Sequence, residues 1–187
     1  MNLIISADIN WGIGKNNRLL FRIIPDMRNF KEKTVGGAVI MGRKTLESLP
    51  GSRPLNDRIN IVMTRNPGRL EERYQKRNSP VGAALRFCRS LDELAFCIKG
   101  LDLGPDKVWV IGGAEIILLL SPFCEEAYVT RILAVGDADC RINEPDRAEG
   151  WSLAEMGEIE EWEGLRYRFD RYKNNAAKPL PEPLVSQ

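Results

Sequence analysis

Short apolar runs alternate with amphipathic segments along most of the chain. The apolar runs predict buried strands at residues 2–7, 38–41, 59–64, 83–88, 107–111 and 127–133. The amphipathic segments predict four helices. The first begins at Pro25, the second covers residues 43–49, the third follows a capping box of Ser90 and Glu93, and the fourth covers residues 114–120. Residues 158–162 and 165–172 flank Glu163 and Gly164 and predict a closing hairpin.

Three further segments lack such a pattern. Residues 10–17 are rich in Gly and Asn, which predicts a loop. Residues 65–80 are polar and strongly basic, and they predict a surface excursion with one helical turn. Residues 174–187 carry prolines and few large apolar side chains, so we expect a disordered tail after a single domain over residues 1–173.

The order of the predicted elements favours one fold class. Strands that alternate with helices and finish in a hairpin favour an α/β fold, whose sheet is mostly parallel with an antiparallel edge. Ligands of such sheets bind where the strands end at their carboxyl side. We therefore look for chemistry at the ends of the predicted strands.

Composition excludes several classes of function. Lys plus Arg is 27 and Asp plus Glu is 26, a net charge of +1, whereas a nucleic-acid surface needs a clear basic excess. No run approaches the roughly 18 apolar residues of a membrane span, and the N-terminus lacks the basic region of a signal peptide. The four cysteines form no C-x-x-C pair, so we expect free thiols in a reducing cytoplasm.

The sequence contains no histidine. This excludes a Ser-His-Asp triad, a His-ligated zinc and a histidine general base, and we predict no metal site. Any acid–base step must then fall to a carboxylate, Lys, Tyr, Cys or water.

Three predicted strand ends could hold phosphate. The segment V-I-M-G-R-K-T at 39–45 and the segment V-I-G-G-A-E at 110–115 each place glycine between a strand and a helix, where free backbone N–H groups favour an anion. Arg65 follows a third strand and could grip a phosphate ester. Each of the three strand ends, taken alone, is explained equally well by an ordinary turn with solvated charges. Taken together, the three strand ends indicate a dinucleotide with an additional phosphate, hence NADP rather than NAD.

Asp26 is the most informative carboxylate. It lies in a predicted first helical turn and shares a face with Met27 and Phe30. A carboxylate on an apolar face is unfavourable unless a ligand or partner pairs with it. The alternative is a helix-start acid that faces water, which is a common role.

Taken in order, these segments resemble the dihydrofolate reductase family from residue 1 to about 173. The matching pieces include N-W-G-I-G-K-N-N at 10–17, P-D-M-R-N-F-K-E-K-T at 25–34, V-I-M-G-R-K-T-L-E-S-L-P at 39–50 and V-I-G-G-A-E-I at 110–116. The resemblance implies an eight-stranded, mostly parallel sheet with an antiparallel C-terminal edge and four flanking helices. It further implies NADPH as cofactor, 7,8-dihydrofolate as substrate, antifolates as inhibitors, a monomer, and no nucleic-acid or membrane partner.

The resemblance also assigns roles to individual residues. The residues implied for the substrate are Ile4, Ile5, Asp26, Met27, Phe30, Leu49, Leu55, Arg58, Ile111 and Thr130. Those implied for the cofactor are Ile5, Ser6, Ile13, Asn17, Leu19, Gly42, Arg43, Lys44, Thr45, Met63, Thr64, Arg65, Arg89, Ser90, Ile111, Gly112, Gly113, Ala114, Glu115 and Ile116. Asp26, Thr130, Phe21 and Leu19 would border the reacting rings, Arg58 would hold the glutamate tail of the substrate, and Gly112-Gly113 would be joined by a cis peptide.

The implied chemistry is direct hydride transfer from C4 of the nicotinamide to C6 of the pterin, with water as the proton donor to N5 and Asp26 polarising the ring. The sequence departs from the family pattern at Phe21, where tryptophan is usual, and at Ile117, where tyrosine is common. Two alternatives stay open at this point: the reductase of riboflavin biosynthesis, which shares the fold, and a binding protein without turnover.

Overall fold

The computed structural model describes residues 1–75 and 82–182. Its strands, in chain order, are β1 (Asn2–Ala7), β2 (Gly12–Lys15), β3 (Arg18–Leu19), β4 (Ala38–Gly42), β5 (Ile59–Met63), β6 (Ala84–Cys88), β7 (Val108–Gly112), β8 (Glu126–Ile132), β9 (Cys140–Arg141), β10 (Trp151–Glu155), β11 (Glu160–Trp162) and β12 (Leu165–Asn174). Its α-helices are α1 (Ile24–Thr34), α2 (Arg43–Ser48), α3 (Pro67–Gln75), α4 (Leu91–Lys99) and α5 (Ala114–Leu120).

The main sheet confirms the predicted α/β fold with an eight-stranded sheet. Its order is β10-β12-β8-β1-β7-β4-β5-β6, and β11 adds to β12 off this path. The strands from β8 to β6 pair in parallel, whereas β12 pairs antiparallel with both β8 and β10. The parallel strands therefore end at one edge of the sheet, where β1, β4, β5, β7 and β8 present their last residues together.

Two apolar layers cover the two faces of this sheet. Side chains alternate along a strand, so Leu3 and Ile5 lie in the layer with α4 and α5, whereas Ile4 lies in the layer that contacts α1, α2 and α3. Val39 and Ile40 divide between the two layers in the same way. Both faces are buried, which is why these strands read as continuous apolar runs.

Helix α3 corrects the prediction for the basic excursion. Residues 67–75 form a nine-residue helix, and Leu70 and Tyr74, four positions apart, are buried against the layer that holds Val62. The segment therefore docks on the sheet, which the surrounding charged residues concealed in the sequence. Residues 76–81, the rest of that excursion, lie outside the described residues.

The sequence analysis also missed short strands. The predicted loop at 10–17 contains β2, which pairs with β3 and β9 in a separate small sheet. Strand β10, which forms the outer edge of the main sheet, was not predicted. These strands are short and polar, with few of the apolar alternations that predict a strand.

The first residues of the predicted tail contact the rest of the domain. Asn174 is buried and its side-chain amide donates to the carbonyls of Ser121 and Cys124. The amide N–H of Lys178 donates to the carbonyl of Pro122 at 2.9 Å, and Leu180 packs against the layer with α5. Residues 174–180 are thus held against the sheet rather than disordered, whereas residues 183–187 lie outside the described part of the chain.

Candidate active site

Asp26 is held in a largely buried position between helix α1 and strand β8. Pro25 stands in the first turn of α1, so Asp26 occupies that same turn. The hydroxyl of Thr130 donates to Oδ1 of Asp26 at 2.6 Å, and Thr130 is only 3% exposed. Burial raises the pKa of the Asp26 carboxyl, and the hydrogen bond from Thr130 partly opposes that rise.

A set of half-buried apolar side chains begins one helical turn after this carboxylate, at Phe30, and we call this set the apolar pocket. The half-buried side chains of Phe30, Leu49, Leu55 and Ile111 pack against the cluster that contains Ile4. These residues come from α1, β7, β1 and the segment that follows α2, so only the folded chain brings them together. Met27 borders the set but is 39% exposed.

Ile5 does not join this pocket. It follows Ile4 on β1, and the period of two along a strand turns its side chain to the opposite face, where it packs with the α4 and α5 layer. Ile5, which the resemblance implies for both substrate and cofactor, thus has its side chain in the other layer from Ile4.

Arg58 is a buried arginine at the start of β5. It is 7% exposed. Its Nη1 donates to the Thr34 hydroxyl at 2.9 Å and its Nε donates to the Asn56 carbonyl at 2.8 Å. Burial lowers the pKa of the guanidinium, and the nearby Asp57 carboxylate opposes this. Among the described residues its Nη2 has no hydrogen-bond partner, so that edge of the fork is available to a ligand.

Asn60 is a buried polar residue next to the candidate site that the sequence analysis did not single out. It is fully buried on β5; its Oδ1 accepts from the Leu55 amide at 2.8 Å, and its Nδ2 donates to the carbonyls of Leu55, Arg58 and Ala84. These bonds fix the turn that presents Leu55 and Arg58 to the pocket. The signal was a lone amide inside the apolar run I-N-I-V-M, where a buried polar group requires partners.

Two glycine turns meet beside the pocket, at the carboxyl ends of β4 and β7. A Cβ on Gly42 would lie 3.1 Å from Cγ1 of Ile116 and 4.0 Å from the amide nitrogen of Gly113. Gly112 has a φ of +125°, which favours glycine, and the Gly112-Gly113 peptide is cis, as predicted. Gly113 precedes α5, so the first turn of that helix, with Ala114, Glu115 and Ile116, begins at this junction. The side-chain hydroxyl of Thr45 would lie 3.8 Å and 3.5 Å from a Cβ on Gly112 and on Gly113.

A cationic cleft lies beyond β5. Arg65, Asn66, Pro67, Gly68, Arg69 and Arg89 line a cleft of about 470 Å³. The sequence analysis singled out Arg65 and Arg89; Arg69 was missed because helix α3, which brings it there, was not predicted. Thr64 lies between this cleft and the buried Met63.

Other predicted cofactor residues already have partners. Arg43 donates to Glu47 at 2.7 Å, and the Ser90 hydroxyl accepts from the Glu93 amide as the cap of α4. Lys44 is exposed on α2. Arg43 and Lys44 directly follow Gly42, and Arg43 would have to exchange Glu47 for a phosphate.

The segment before α1 carries two of the residues predicted to border the reacting rings. Leu19 pairs with Gly14 in the small sheet and is 61% exposed. Phe21 packs with the cluster of Ile23, Ile132 and Tyr167. Ile13 is half-buried, Asn17 is exposed, and Ser6 lies opposite Thr130 in the register of β1 and β8.

The comparisons with known proteins agree with this arrangement. A family model described as "Dihydrofolate reductase" matches residues 1–174. The chain belongs to the dihydrofolate reductase family. This membership decides against the reductase of riboflavin biosynthesis, which the sequence analysis had left open.

Individual relatives extend the match over nearly the whole chain. The dihydrofolate reductase of Bacillus subtilis is 34% identical over 181 residues, which is 95% of this chain and 97% of that protein. The dihydrofolate reductase of Rattus norvegicus is 32% identical over 190 residues, with 92% and 96% coverage. A solved structure, dihydrofolate reductase from Enterococcus faecalis complexed with NADP(H) and RAB-propyl, has a TM-score of 0.73 at 27% identity and covers 93% of this chain and 95% of that one. Within the part of the chain that the structure describes, no helix of this family member is long and apolar enough to cross a membrane.

Proposed function

We propose that this chain reduces 7,8-dihydrofolate to 5,6,7,8-tetrahydrofolate with NADPH, and that Asp26 orients the pterin. The observation that carries the proposal is a largely buried carboxylate, held by Thr130 at 2.6 Å, at the mouth of an apolar pocket. A carboxylate in such a place is unfavourable in the free protein. A ligand with adjacent N–H donors, such as the amino-pyrimidine edge of a pterin, would relieve that cost by pairing with it.

The residues present fit the cofactor. The turns at Gly42 and at Gly112-Gly113 are adjacent and lack side chains, so a pyrophosphate could approach their backbone N–H groups, and the arginine cleft fits an additional phosphate. NADPH, when bound, supplies the hydride for C6 of the pterin. The chain supplies position: Phe30, Leu49 and Ile111 exclude water around the ring, and Asp26 fixes its orientation.

The proton for N5 is assigned to water. In the arrangement that the family resemblance implies, Asp26 binds the edge of the pterin remote from N5 and cannot reach it. Asp26 therefore polarises the ring through its hydrogen bonds, and Thr130 holds the carboxylate in the orientation that permits this. The absence of histidine from the sequence does not affect this chemistry.

Arg58 is assigned to the glutamate tail of the substrate. Thr34 and Asn56 fix one side of its guanidinium, so the planar fork is oriented before a ligand arrives. An oriented arginine pairs with a carboxylate through two parallel hydrogen bonds. The α-carboxylate of the tail would thereby be anchored at the outer end of the apolar pocket.

The additional phosphate of NADPH is assigned to Arg65, Arg69 and Arg89. Arg89 is held by an ion pair with Glu93 at 3.0 Å, whereas Arg65 and Arg69 are exposed in the cleft. Three guanidinium groups around one cleft favour a dianionic phosphomonoester over a neutral ribose.

Turnover of the purified chain tests the proposal. We expect NADPH absorbance to fall when dihydrofolate is added, no loss without dihydrofolate, and much slower turnover with NADH. A chain that binds NADPH and dihydrofolate but consumes neither would instead be a binding protein without turnover, the alternative raised by Phe21 and Ile117.

Three finer proposals accompany this function. We propose that the chain acts as a monomer, since every residue of the site comes from one chain; sedimentation with and without NADPH tests this. We propose a reducing, cytoplasmic setting, which the free thiols of Cys88, Cys97, Cys124 and Cys140 support. We further propose that antifolates bind the pocket beside Asp26, which competition with dihydrofolate would measure.

A further inference from the structure

Arg131 holds the chain where it leaves strand β1. It follows Thr130 on β8, so its side chain lies on the opposite face of the sheet from the Thr130–Asp26 bond. Its Nη1 donates to the Asp8 carbonyl at 2.5 Å and its Nη2 donates to the Ile9 carbonyl at 3.4 Å. Its guanidinium carbon lies 3.9 Å from the centre of the Trp11 ring. One cation thus contacts three of the four residues that open the segment 8–19, which we call the 8–19 loop.

The buried carboxylate of Asp8 also holds the start of the 8–19 loop. Asp8 is fully buried, and its Oδ1 accepts from the amides of Asn10 and Gly12 at 2.8 and 2.7 Å. Its Oδ2 accepts from the Gly136 amide at 2.8 Å. The base of the 8–19 loop is therefore bonded both to itself and to the segment that follows β8.

Trp11 has an unusual backbone at this corner. Its φ is +59°, in the left-handed region that a bulky side chain rarely adopts. Its ring lies under Arg131 on one side and meets the Tyr172 ring edge-on at 6.1 Å. Because this backbone conformation of Trp11 is unfavourable, contacts of the indole ring must stabilise it. Arg131 supplies a cation–π contact to that ring.

The far end of the loop is held by exposed contacts. The Asn16 amide donates to Asp139 at 2.8 Å, and Lys15 pairs with Asp137, all at exposed or partly exposed positions. Water competes with such contacts, so they are weaker than those at the buried base. The loop therefore has a fixed base and a more easily released tip.

We propose that Arg131 is a positioning residue that sets the 8–19 loop for NADPH. This rests on the proposed function, because the family resemblance assigns Ile13 and Asn17 of the loop to NADPH. The polar contacts of Asp26 and Arg58 are with Thr130, Thr34 and Asn56 and do not involve Arg131. Loss of Arg131 should therefore weaken NADPH and spare dihydrofolate.

Steady-state kinetics of Arg131→Met test the proposal. We expect KM for NADPH to rise about tenfold, with KM for dihydrofolate unchanged within about twofold. Trp11→Leu, which removes the ring under the guanidinium, should raise the same KM in the same direction, and the double variant should be less impaired than the sum of the two single variants because they share the cation–π contact. Arg131→Lys, which keeps a charge over the ring but cannot reach both carbonyls, should fall between wild type and Arg131→Met.

Arg168→Met is the matched control. Arg168 pairs directly with Arg131 in the register of β12 and β8, carries the same charge and bonds to Asp170 instead of the loop. It should lower Tm without raising KM for NADPH. If Arg131→Met raised both KM values equally, or matched Arg168→Met in all respects, Arg131 would be merely structural and the proposal would be wrong.

The rate of proteolysis within the 8–19 loop measures how firmly the loop is held, and it does not depend on turnover. Trypsin cuts after Lys15 and Arg18 in the 8–19 loop, so mass spectrometry should find these cuts several-fold faster in Arg131→Met than in wild type or Arg168→Met. Unchanged cutting would overturn the proposal even if the kinetics agreed. If wild type showed no turnover, the proposed function would fail, whereas the cutting rates would still decide whether Arg131 anchors the loop.

Discussion

At the scale of single residues, the site depends on polar groups that the fold keeps buried. Asp26 with Thr130, Arg58 with Thr34, and Asn60 all pair inside the protein. The sequence could predict Asp26, because a carboxylate among apolar helical positions is unusual. It could not predict the burial of Arg58, because that depends on α1 packing across the start of β5.

Replacing Asp26 should make the free protein more stable. A carboxyl whose pKa is raised by folding binds its proton more tightly in the folded state, so the free energy of unfolding falls as pH rises above the unfolded pKa of about 3.9. Asn cannot ionise, and it can still accept the Thr130 hydrogen bond. Asp26→Asn should therefore raise Tm at pH 7 by a few degrees, since 1 kcal/mol corresponds to roughly 2–4 °C at this size.

Thermal unfolding from pH 4 to 8 measures this effect without substrate. The difference between Asp26→Asn and wild type should grow with pH through the range in which Asp26 ionises. A Tm for Asp26→Asn below that of wild type at pH 7 would show that the buried carboxylate stabilises the fold, against this account.

Thr130 should tune the ionisation of Asp26. Its hydroxyl bonds to the carboxylate and so lowers the pKa that burial raises. Thr130→Val should raise the pKa of Asp26 further and move the corresponding inflection in the pH profile of turnover to higher pH. Thr130→Ser, which keeps the hydroxyl, should leave the inflection near its wild-type position. A Thr130→Val inflection at or below the wild-type pH would remove Thr130 from this role.

At the scale of elements, the strands were predictable and several connections were not. The buried strands of the parallel sheet are apolar on both faces, so β1, β4 and β7 are visible as runs in the sequence. Helix α3 was predicted as one turn because four of its nine residues are charged and few are apolar; Leu70 and Tyr74 are the buried residues among its described side chains. Strands β2 and β3 form a short hairpin whose turn is Asn16-Asn17, both with positive φ. Strand β9 pairs with β2 from far along the chain, which no local pattern encodes.

Helix α3 should contribute to the choice of cofactor. It brings Arg69 into the cleft with Arg65 and Arg89. Arg69→Ala should weaken NADPH about tenfold and leave NADH nearly unchanged, because a hydrogen bond to a charged phosphate contributes roughly 1.5–3 kcal/mol. Arg86→Ala removes the same charge from an exposed position on β6 and should change neither. The measurement is the ratio of kcat/KM for NADPH to kcat/KM for NADH. If Arg69→Ala lowered kcat/KM equally for both cofactors, Arg69 would not bind the additional phosphate.

At the scale of the whole molecule, the sheet brings the cofactor and substrate halves together at one edge. The glycine turns end β4 and β7, and Thr130 comes near the end of β8, so residues far apart in sequence border one site. The order of the motifs along the chain was enough to predict the family and the cofactor. The placement of Ile5 and Leu19 was not predictable, because it depends on strand phase and on pairing in the small sheet.

Arg58 should bind the glutamate tail of the substrate at the outer end of this site. Arg58→Leu should raise KM for dihydrofolate more than it lowers kcat, since a remote anchor binds ground and transition states alike. A dihydropterin without the glutamate tail should be insensitive to the change. If both substrates suffered equally, or neither did, Arg58 would not be the anchor.

The single-turnover rate of hydride transfer in Asp26→Asn tests the central claim most directly. Asp106→Asn, an exposed acid at the amino end of β7, is the control and should match wild type. With NADPH and dihydrofolate both saturating, we predict a loss of at least about 100-fold for Asp26→Asn at pH 7. A hydride-transfer rate within a fewfold of wild type would show that the buried carboxylate does not orient the pterin, and the account of the site would be wrong.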